Sequence, residues 1–345
     1  MLVYEVRMTS HPRTPLQLLL TLPGLLAPTA GPQRSAPALA RLIAQAGPPS
    51  RDPDGTDAML ASYYGIAHMA GTDCPLAPVR LSALGIDPEE YFWLAADPVT
   101  LVAGHDDVRL TGVVRDLGPD DAAALVSMLN GHFANDNIAF VAPRSGAWFV
   151  RTSPIALRTH PVAAVIGRAL RDLLPEGPDA NAWRRWQSEI QMLMHDHPVN
   201  LAREEQGKAP ANSVWFSEGG TMPAQAAPSS LVTFADNGIA RALAARGPHP
   251  AQPLPADLPA VLAASGDAAL LVVALGPSLN ASVLESVWTA PAWRALTDGK
   301  LAAVTLVADG ADGAVAWTAQ PPTLVQRLGL RFSRPDLARL LAPVR

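Results

Sequence analysis

Between Trp183 and Met222 the chain gathers the side chains best suited to do chemistry. They are the run His195-Asp196-His197-Pro198-Val199-Asn200-Leu201-Ala202-Arg203, then Gly207-Lys208-Ala209-Pro210-Ala211-Asn212. Arginine forks onto two oxygens, lysine adds a compact charge and asparagine fixes orientation, so the set suits a carboxylate or phosphate. In a chain that is 49% hydrophobic and 17% charged such residues need partners, because cores exclude them unless they are paired. The plainer alternative pairs Arg203 with Glu189 or Glu204 and bonds Asn200 and Asn212 to loop backbone, so that the segment locks parts of the fold together. His195 and His197, two apart, diverge on a continuous helix and cannot chelate one ion.

The local folding of this segment is set by the pattern around it. Trp183, Trp186, Ile190, Leu193 and His197 recur at helical spacing, which places His197 at the end of an apolar stripe. Pro198 cannot continue that helix but suits the first turn of a new one. Asn200 and Arg203, three apart, then point the same way, Gly207 closes the second helix as a left-handed cap, and Lys208 and Asn212 come after it on the loop. The expected anion-binding set is His197, Asn200, Arg203, Lys208 and Asn212, with Arg158 and His160 added from a neighbouring segment.

Length and charge bound the rest. A chain of 345 residues supports two domains, or one with a large insertion. A net charge of −5, with Lys and Arg spread singly, argues against a nucleic-acid partner. The single cysteine, Cys74, fits a reducing compartment, and a cytoplasmic protein is expected. The apolar run 16–26, with Arg7 and Arg13 before it and Ala27-Pro28-Thr29-Ala30 after it, has the outline of a signal peptide. The competing reading is a buried strand ending at Pro23-Gly24 and then a helix over 35–46, and the helical pattern of that second segment favours it. No stretch has the length of a membrane span.

Further along, 91–102 and 108–114 read as strands joined at His105-Asp106-Asp107, 120–133 as a helix, and 138–142 with 147–151 as a hairpin. After Leu231 strand and helix alternate again: strands at 231–234, 268–275, 301–308 and 315–318, helices at 238–245 and 282–296, and a Pro-rich linker at 247–259. These strands are near-continuous apolar runs, the mark of a parallel sheet covered on both faces. Gly-x-Ser-x-Gly and Gly-rich phosphate loops are absent, and Cys74 beside Pro75 reads as structural. The His105-Asp106-Asp107 turn reads as solvated.

The spacing His-Pro-Val-Asn-x-x-Arg-x-x-x-Gly-Lys-x-Pro-Ala-Asn resembles the archaeal-type cofactor-independent phosphoglycerate mutases. It resembles still more their proteobacterial relatives, labelled phosphoglycerate mutase or RpfE-type regulatory protein. There a Gln-Met-Leu-x-His-x-His-Pro-Val-Asn block precedes Asn-Ser-Val-Trp, as residues 191–200 precede 212–215 here. Residues 93–99 with the Leu129-Asn130-x-His132-Phe133 helix end, and 157–167 with Leu173-Leu174-Pro175-x-Gly177, extend the likeness over most of the chain.

The resemblance implies an α/β fold: an alkaline-phosphatase-like core, a mostly parallel sheet with helices on both faces, carrying an inserted α+β domain. On that scheme 1–90 plus 225–345 form the core and 91–224 the insertion. It also implies two divalent metals held by Asp and His at the strand ends, with a serine carrying the phosphoryl group between them. The chain departs from this. Its first strand ends Leu20-Thr21-Leu22-Pro23-Gly24-Leu25-Leu26, where the mutases place a metal-binding Asp-Gly. Leu275-Gly276-Pro277-Ser278 carries neither Asp nor His, and Asp309-Gly310-Ala311-Asp312 has acids but no histidine. Where the relatives read Trp-x-Trp-Gly-x-Gly, the chain has Trp215-Phe216-Ser217-Glu218-Gly219-Gly220, with a charged residue in place of a glycine.

The expectation is a phosphoglycerate-mutase-like protein without the two-metal site, with no cofactor, no metal and no catalytic residue. Its role would be binding or regulation, with a small anionic metabolite or a protein as partner and neither nucleic acid nor membrane. An active metal-dependent mutase or phosphoesterase, and a purely structural or protein-interaction module, are the alternatives.

Overall fold

The computed structural model describes residues 15–26, 36–69, 71–105, 107–224, 227–276, 280–310, 313–323, 326 and 335–342. Arg7, Arg13 and Ala27-Pro28-Thr29-Ala30, on which a leader reading rests, lie outside them, as do Ser35, Asp106, Pro277, Ser278, Ala311 and Asp312.

β1 (Gln17–Thr21) is the expected buried strand, and α1 (Pro37–Gln45) comes next with Leu39, Leu42 and Ile43 buried. Pro37 opens α1 where no donor is needed. The Glu285 carboxylate accepts from the next amides, Ala38 N at 2.6 Å and Leu39 N at 3.2 Å, setting an anion on the positive helix end. β2 (Ser50–Asp52), α2 (Gly55–Tyr63) and α3 (Leu76–Ala83) lead to β3 (Phe92–Ala103) and β4 (Val108–Val113). Pro75 and Pro78 hide α3 from a pattern reading. Both sit at or before its first turn, where a missing N–H goes unnoticed.

α4 (Pro119–His132), the hairpin β5 (Ala139–Arg144) and β6 (Ala147–Thr152), the single turn α5 (Val162–Val165), α6 (Ala180–His195), α7 (Pro198–Glu205) and β7 (Ser213–Gly220) come next. After them the chain forms β8 (Leu231–Ala235), α8 (Gly238–Ala245), α9 (Leu258–Ala263), β9 (Leu270–Ala274), α10 (Ala281–Val283), α11 (Ala290–Thr297), β10 (Ala303–Gly310), β11 (Gly313–Ala319) and a short helix at Leu337–Leu341. The helix expected over 282–296 is interrupted by a π turn at Leu284–Thr289. Pro291, in the first turn of α11, has no N–H for the preceding turn, and the widened turn accommodates that gap.

Two compact units result. The first comprises Met1–Arg51, Pro228–Ala244 and Pro248–Arg345; the second Asp52–Ala227 and Ala245–Gly247. Residues 52–90, expected in the core, therefore pack with the second unit.

The first unit is the α/β core. Its sheet runs β2-β11-β10-β1-β9-β8, with β10, β1, β9 and β8 parallel. The apolar pattern suggests that the last strand is parallel as well. β11 instead runs antiparallel to β10, because Gly310 and Gly313 close a tight hairpin and no crossover helix separates the two strands. Leu18, Leu19 and Leu20 are all buried, so β1 is covered on both faces. Leu39, Leu42 and Ile43 of α1 and Ala292, Ala295 and Leu296 of α11 join its core.

The second unit is α+β. β3 is its spine, pairing antiparallel with β4, β6 and β7. Nine consecutive residues of β3 are buried because both of its faces are occupied. On one face Leu94, Ala96, Val214 and Phe216 pack against Leu125 and Leu129 of α4 and Trp183 and Ile190 of α6. Trp183 meets Phe216 edge to face at 4.8 Å. On the other face Ala77 and Leu81 of α3 cover Trp93, Ala95 and Phe149. β7 ends in glycine because a Cβ on Gly220 would stand 2.4 Å from Pro75 Cβ.

Candidate functional site

The segment 197–212 forms as its composition predicts. α6 stops at His195, His197 caps α7 with its Nδ1 accepting from Val199 N at 3.2 Å, and Pro198 fills the first turn. Gly207, at φ +69, closes α7 as the left-handed cap.

The polar side chains turn inward, onto backbone. Asn200, fully buried, donates from Nδ2 to Met194 O at 2.7 Å and Ala211 O at 2.8 Å, and its Oδ1 accepts from Ala211 N at 2.9 Å. Arg203, 4% exposed, donates from Nε to Ala209 O at 2.9 Å and from Nη2 to Asp116 Oδ1 at 2.6 Å. Its acidic partner is thus Asp116, neither Glu189 nor Glu204. Glu189 faces His132 and Arg185 instead. The Asp116 carboxyl is held below its usual range, first by the Arg203 hydrogen bond. Asn212 brackets Leu101, its Oδ1 accepting from Leu101 N at 2.8 Å and its Nδ2 donating to Leu101 O at 2.9 Å. Thr100 Oγ1 donates to Pro210 O at 2.7 Å. The loop is therefore fastened along β3, and of the five residues Lys208 is the one left exposed with no ion pair among the described residues.

Arg158 and His160 stand apart from this lock; among the described residues no hydrogen bond or ion pair joins them to Asn200, Arg203 or Lys208. Arg158 Nη2 donates to Asp54 Oδ1 at 2.8 Å, and Asp54 Oδ2 lies 2.6 Å from His68 Nε2. This carboxylate orients the His68 ring. Asp73, buried beside it, accepts from Thr159 N at 2.7 Å, Thr159 Oγ1 at 2.6 Å and Gly219 N at 2.9 Å. Burial nevertheless raises the Asp73 pKa above the usual carboxylate value. The His160 ring is half-buried, and its pKa is lowered first by burial and then by the Arg158 charge. Burial, with the charges of Glu218 and Asp54, pushes the Cys74 thiol up to about 12, so it is an inert structural cysteine.

The strained part of the unit lies on the α3 face of β7. Trp93 pairs with Gly220 and Ala95 with Ser217, so β7 carries one extra residue and bulges at Glu218-Gly219. Glu218 adopts φ +62, keeping the left-handed backbone that a glycine would take there without strain. Its carboxylate accepts from Arg80 Nη1 at 2.8 Å, while Arg80 Nη2 lies 3.8 Å from Asp97 Oδ1. Asp97 is 3% exposed, and burial raises its pKa to about 6 against the opposing pull of Arg80. Ser217, opposite Ala95, has a buried hydroxyl with no partner. Sequence reasoning missed Asp54, His68, Asp73, Arg80 and Asp97. Asp97 alone left a signal, an acid inside the apolar strand Trp93-Leu94-Ala95-Ala96-Asp97-Pro98-Val99.

In the first unit the carboxyl ends of the central parallel strands β1 and β9, where open α/β sheets bind ligands, are apolar. Leu22, Leu25 and Leu26 beyond β1 and Leu275 beyond β9 are all buried in the unit's core. Leu22 N donates to Val307 O at 2.7 Å and Leu275 N to Thr21 Oγ1 at 3.0 Å, so the polar groups at this edge serve the backbone. The acids at the flanking ends, Asp236 and Asp309, are exposed. Among the described residues no three His, Cys, Asp or Glu side chains converge as a metal-binding set. No described helix is long and apolar enough to cross a membrane.

No family model matches the chain. It is similar to proteins named 2,3-bisphosphoglycerate-independent phosphoglycerate mutase. One, from Methanosarcina mazei, is 28% identical over 164 residues, covering 42% of this chain and 41% of the relative. Another, from Methanosarcina barkeri, is 25% identical over 174 residues, covering 45% and 43%. The match thus spans about two fifths of the length of these relatives. Among solved structures, a cofactor-independent phosphoglycerate mutase from Thermoplasma acidophilum aligns over 89% of this chain and 90% of its own, at 16% identity and a TM-score of 0.41. A Pyrococcus horikoshii protein aligns over 89% and 88%, at 12% identity and a TM-score of 0.46.

Proposed function

We propose that this chain is a phosphoglycerate-mutase-like protein that has given up the two-metal reaction and acts by binding. One observation carries the reading. At the sheet edge where such mutases hold their metals, the ends of β1 and β9 present buried Leu22, Leu25, Leu26 and Leu275. Divalent metals that clamp phosphoryl oxygens need carboxylate and imidazole donors, and the leucines at these two central strand ends offer none, which supports the reading. A cytoplasmic setting agrees with one buried, unreactive cysteine.

The ligand class that goes with this reading is a small phosphorylated metabolite, held at the exposed end of the 197–212 loop. Lys208 supports it as a solvent-facing cation beside a lock that fixes its backbone, since Lys208 N donates to Arg203 O at 2.9 Å. The inward donors Asn200, Arg203 and Asn212 serve as its scaffold.

Elemental analysis of the purified protein, paired with a mutase assay on 2- and 3-phosphoglycerate in added manganese or zinc, tests the proposal. Sub-stoichiometric metal and no interconversion are expected. Two tightly held metal ions per chain, or sustained turnover, would sink it.

A further inference from the structure

We propose that the second unit carries a separate site for an amphipathic carboxylate, in the cleft between the outer face of α6 and the β3–β4 hairpin. The cleft has a volume of about 520 Å³, within the range of small-ligand pockets. One wall is the end of β3 and the start of β4, a second is the 3-10 turn Leu170–Asp172 with Leu174, and the third is α6. Leu101, Leu170 and Leu174 line it and continue into the apolar cluster around Trp215, so its base takes hydrocarbon.

The polar wall is built for an acceptor. Arg184 is fixed at two nitrogens, Nη2 donating to Pro175 O at 2.7 Å and Nη1 to Asn181 Oδ1 at 3.3 Å, and each of these nitrogens keeps a second N–H with no acceptor among the described residues. One turn on, Gln187 is 7% exposed, and its only hydrogen bond among the described residues runs from Nε2 to Val214 O at 3.5 Å. A part-buried guanidinium and a buried amide on one helix face thus hold unused hydrogen-bonding capacity at the wall of a cavity with an apolar base. An oxygen-bearing ligand head would use that capacity. The lining acid Asp107 is paired with Arg109 at 2.9 Å, which leaves the Arg184 guanidinium to meet an anion. One fixed guanidinium beside a leucine base selects a singly charged head on a hydrocarbon or aromatic body. It does not select a compact phosphorylated sugar acid, so the site is independent of the Lys208 reading.

Saturation-transfer NMR on the full chain with octanoate, using butyrate and 3-phosphoglycerate as comparators, tests this. Octanoate should give saturable transfer at its alkyl protons, with butyrate at least about tenfold weaker and no competition from 3-phosphoglycerate. Ala103→Trp and Ser188→Trp fill the cleft from opposite walls at exposed positions. Each should weaken octanoate about tenfold or more while leaving the far-UV spectrum and Tm unchanged. No transfer from octanoate, or unchanged affinity in both filled variants, would overturn the proposal.

Discussion

Two buried polar clusters in the second unit differ in how they are satisfied. Around Asn200 and Arg203, buried donors and acceptors end on main-chain groups or on Asp116, and α7 and its loop are fixed to β3 without strain. Around Arg80, Asp97 and Glu218, one guanidinium serves two carboxylates. There the bulged residue is left-handed, a serine hydroxyl is orphaned and an acid is pushed toward neutrality. The first is a lock made of residues that look catalytic. The second has the marks that accompany imposed geometry, although its residues drew no attention in the sequence. Polar residue types announce chemistry only when their partners leave something unsatisfied.

The largest effect that would test this contrast is on the lock. Asn200→Ala strands Ala211 O and Ala211 N in a dry interior and takes one of two donors from Met194 O, which keeps His197 N, and should cost about 4 kcal/mol at 1–3 kcal/mol per orphaned group. Urea unfolding measures it. A loss below about 1 kcal/mol would mean that the bonds are not what fastens the loop.

The strained cluster should respond in the opposite direction. Asp97 titrates near 6 folded and near 3.8 unfolded, so the folded chain binds the extra proton between these values. Its contribution is fully present below pH 3.8 and is lost as pH rises through 6. Asp97→Asn removes that loss. The variant should match the wild type near pH 4 and exceed it by about 2–3 kcal/mol at pH 8, from two pKa units at 1.36 kcal/mol each. Parallel curves across this range would contradict the burial argument. Ser217→Ala, which discards an unpartnered hydroxyl, should be neutral or stabilising by about 1 kcal/mol, readable as a small rise in Tm.

The same contrast explains how much could be read from the residues alone. β1, α1, α4 and the β5–β6 hairpin declare themselves through apolar period and turn residues, and the break at Pro198 and the cap at Gly207 result from local sterics. β7 escapes a pattern reading because Gly219 and Gly220 carry no side chains to show a strand period, whereas the approach of Pro75 demands glycine in the strand. β11 was given the wrong direction because buried parallel and antiparallel strands share one apolar composition. Within 197–212 the backbone path was legible and the partners were not. Asp116 and Leu101 lie far away in sequence, and no spacing rule brings them to Arg203 and Asn212.

Lys208 gives the smallest structural effect and the sharpest division between lock and ligand. Its ammonium is exposed and near enough to Asp116 to help lower that carboxyl, yet it closes no hydrogen bond in the lock. Lys208→Ala should therefore change stability by no more than about 0.5 kcal/mol, as surface substitutions do. If the exposed end of the loop holds a phosphorylated metabolite, the same change should weaken 3-phosphoglycerate several-fold in a calorimetric titration at low salt and leave the wild-type melting curve intact. Arg203→Ala cannot serve for this purpose, because it also strips Ala209 O of its donor and would mix unfolding with lost affinity. Equal heats from wild type and Lys208→Ala, or none from either, would leave 197–212 as architecture alone.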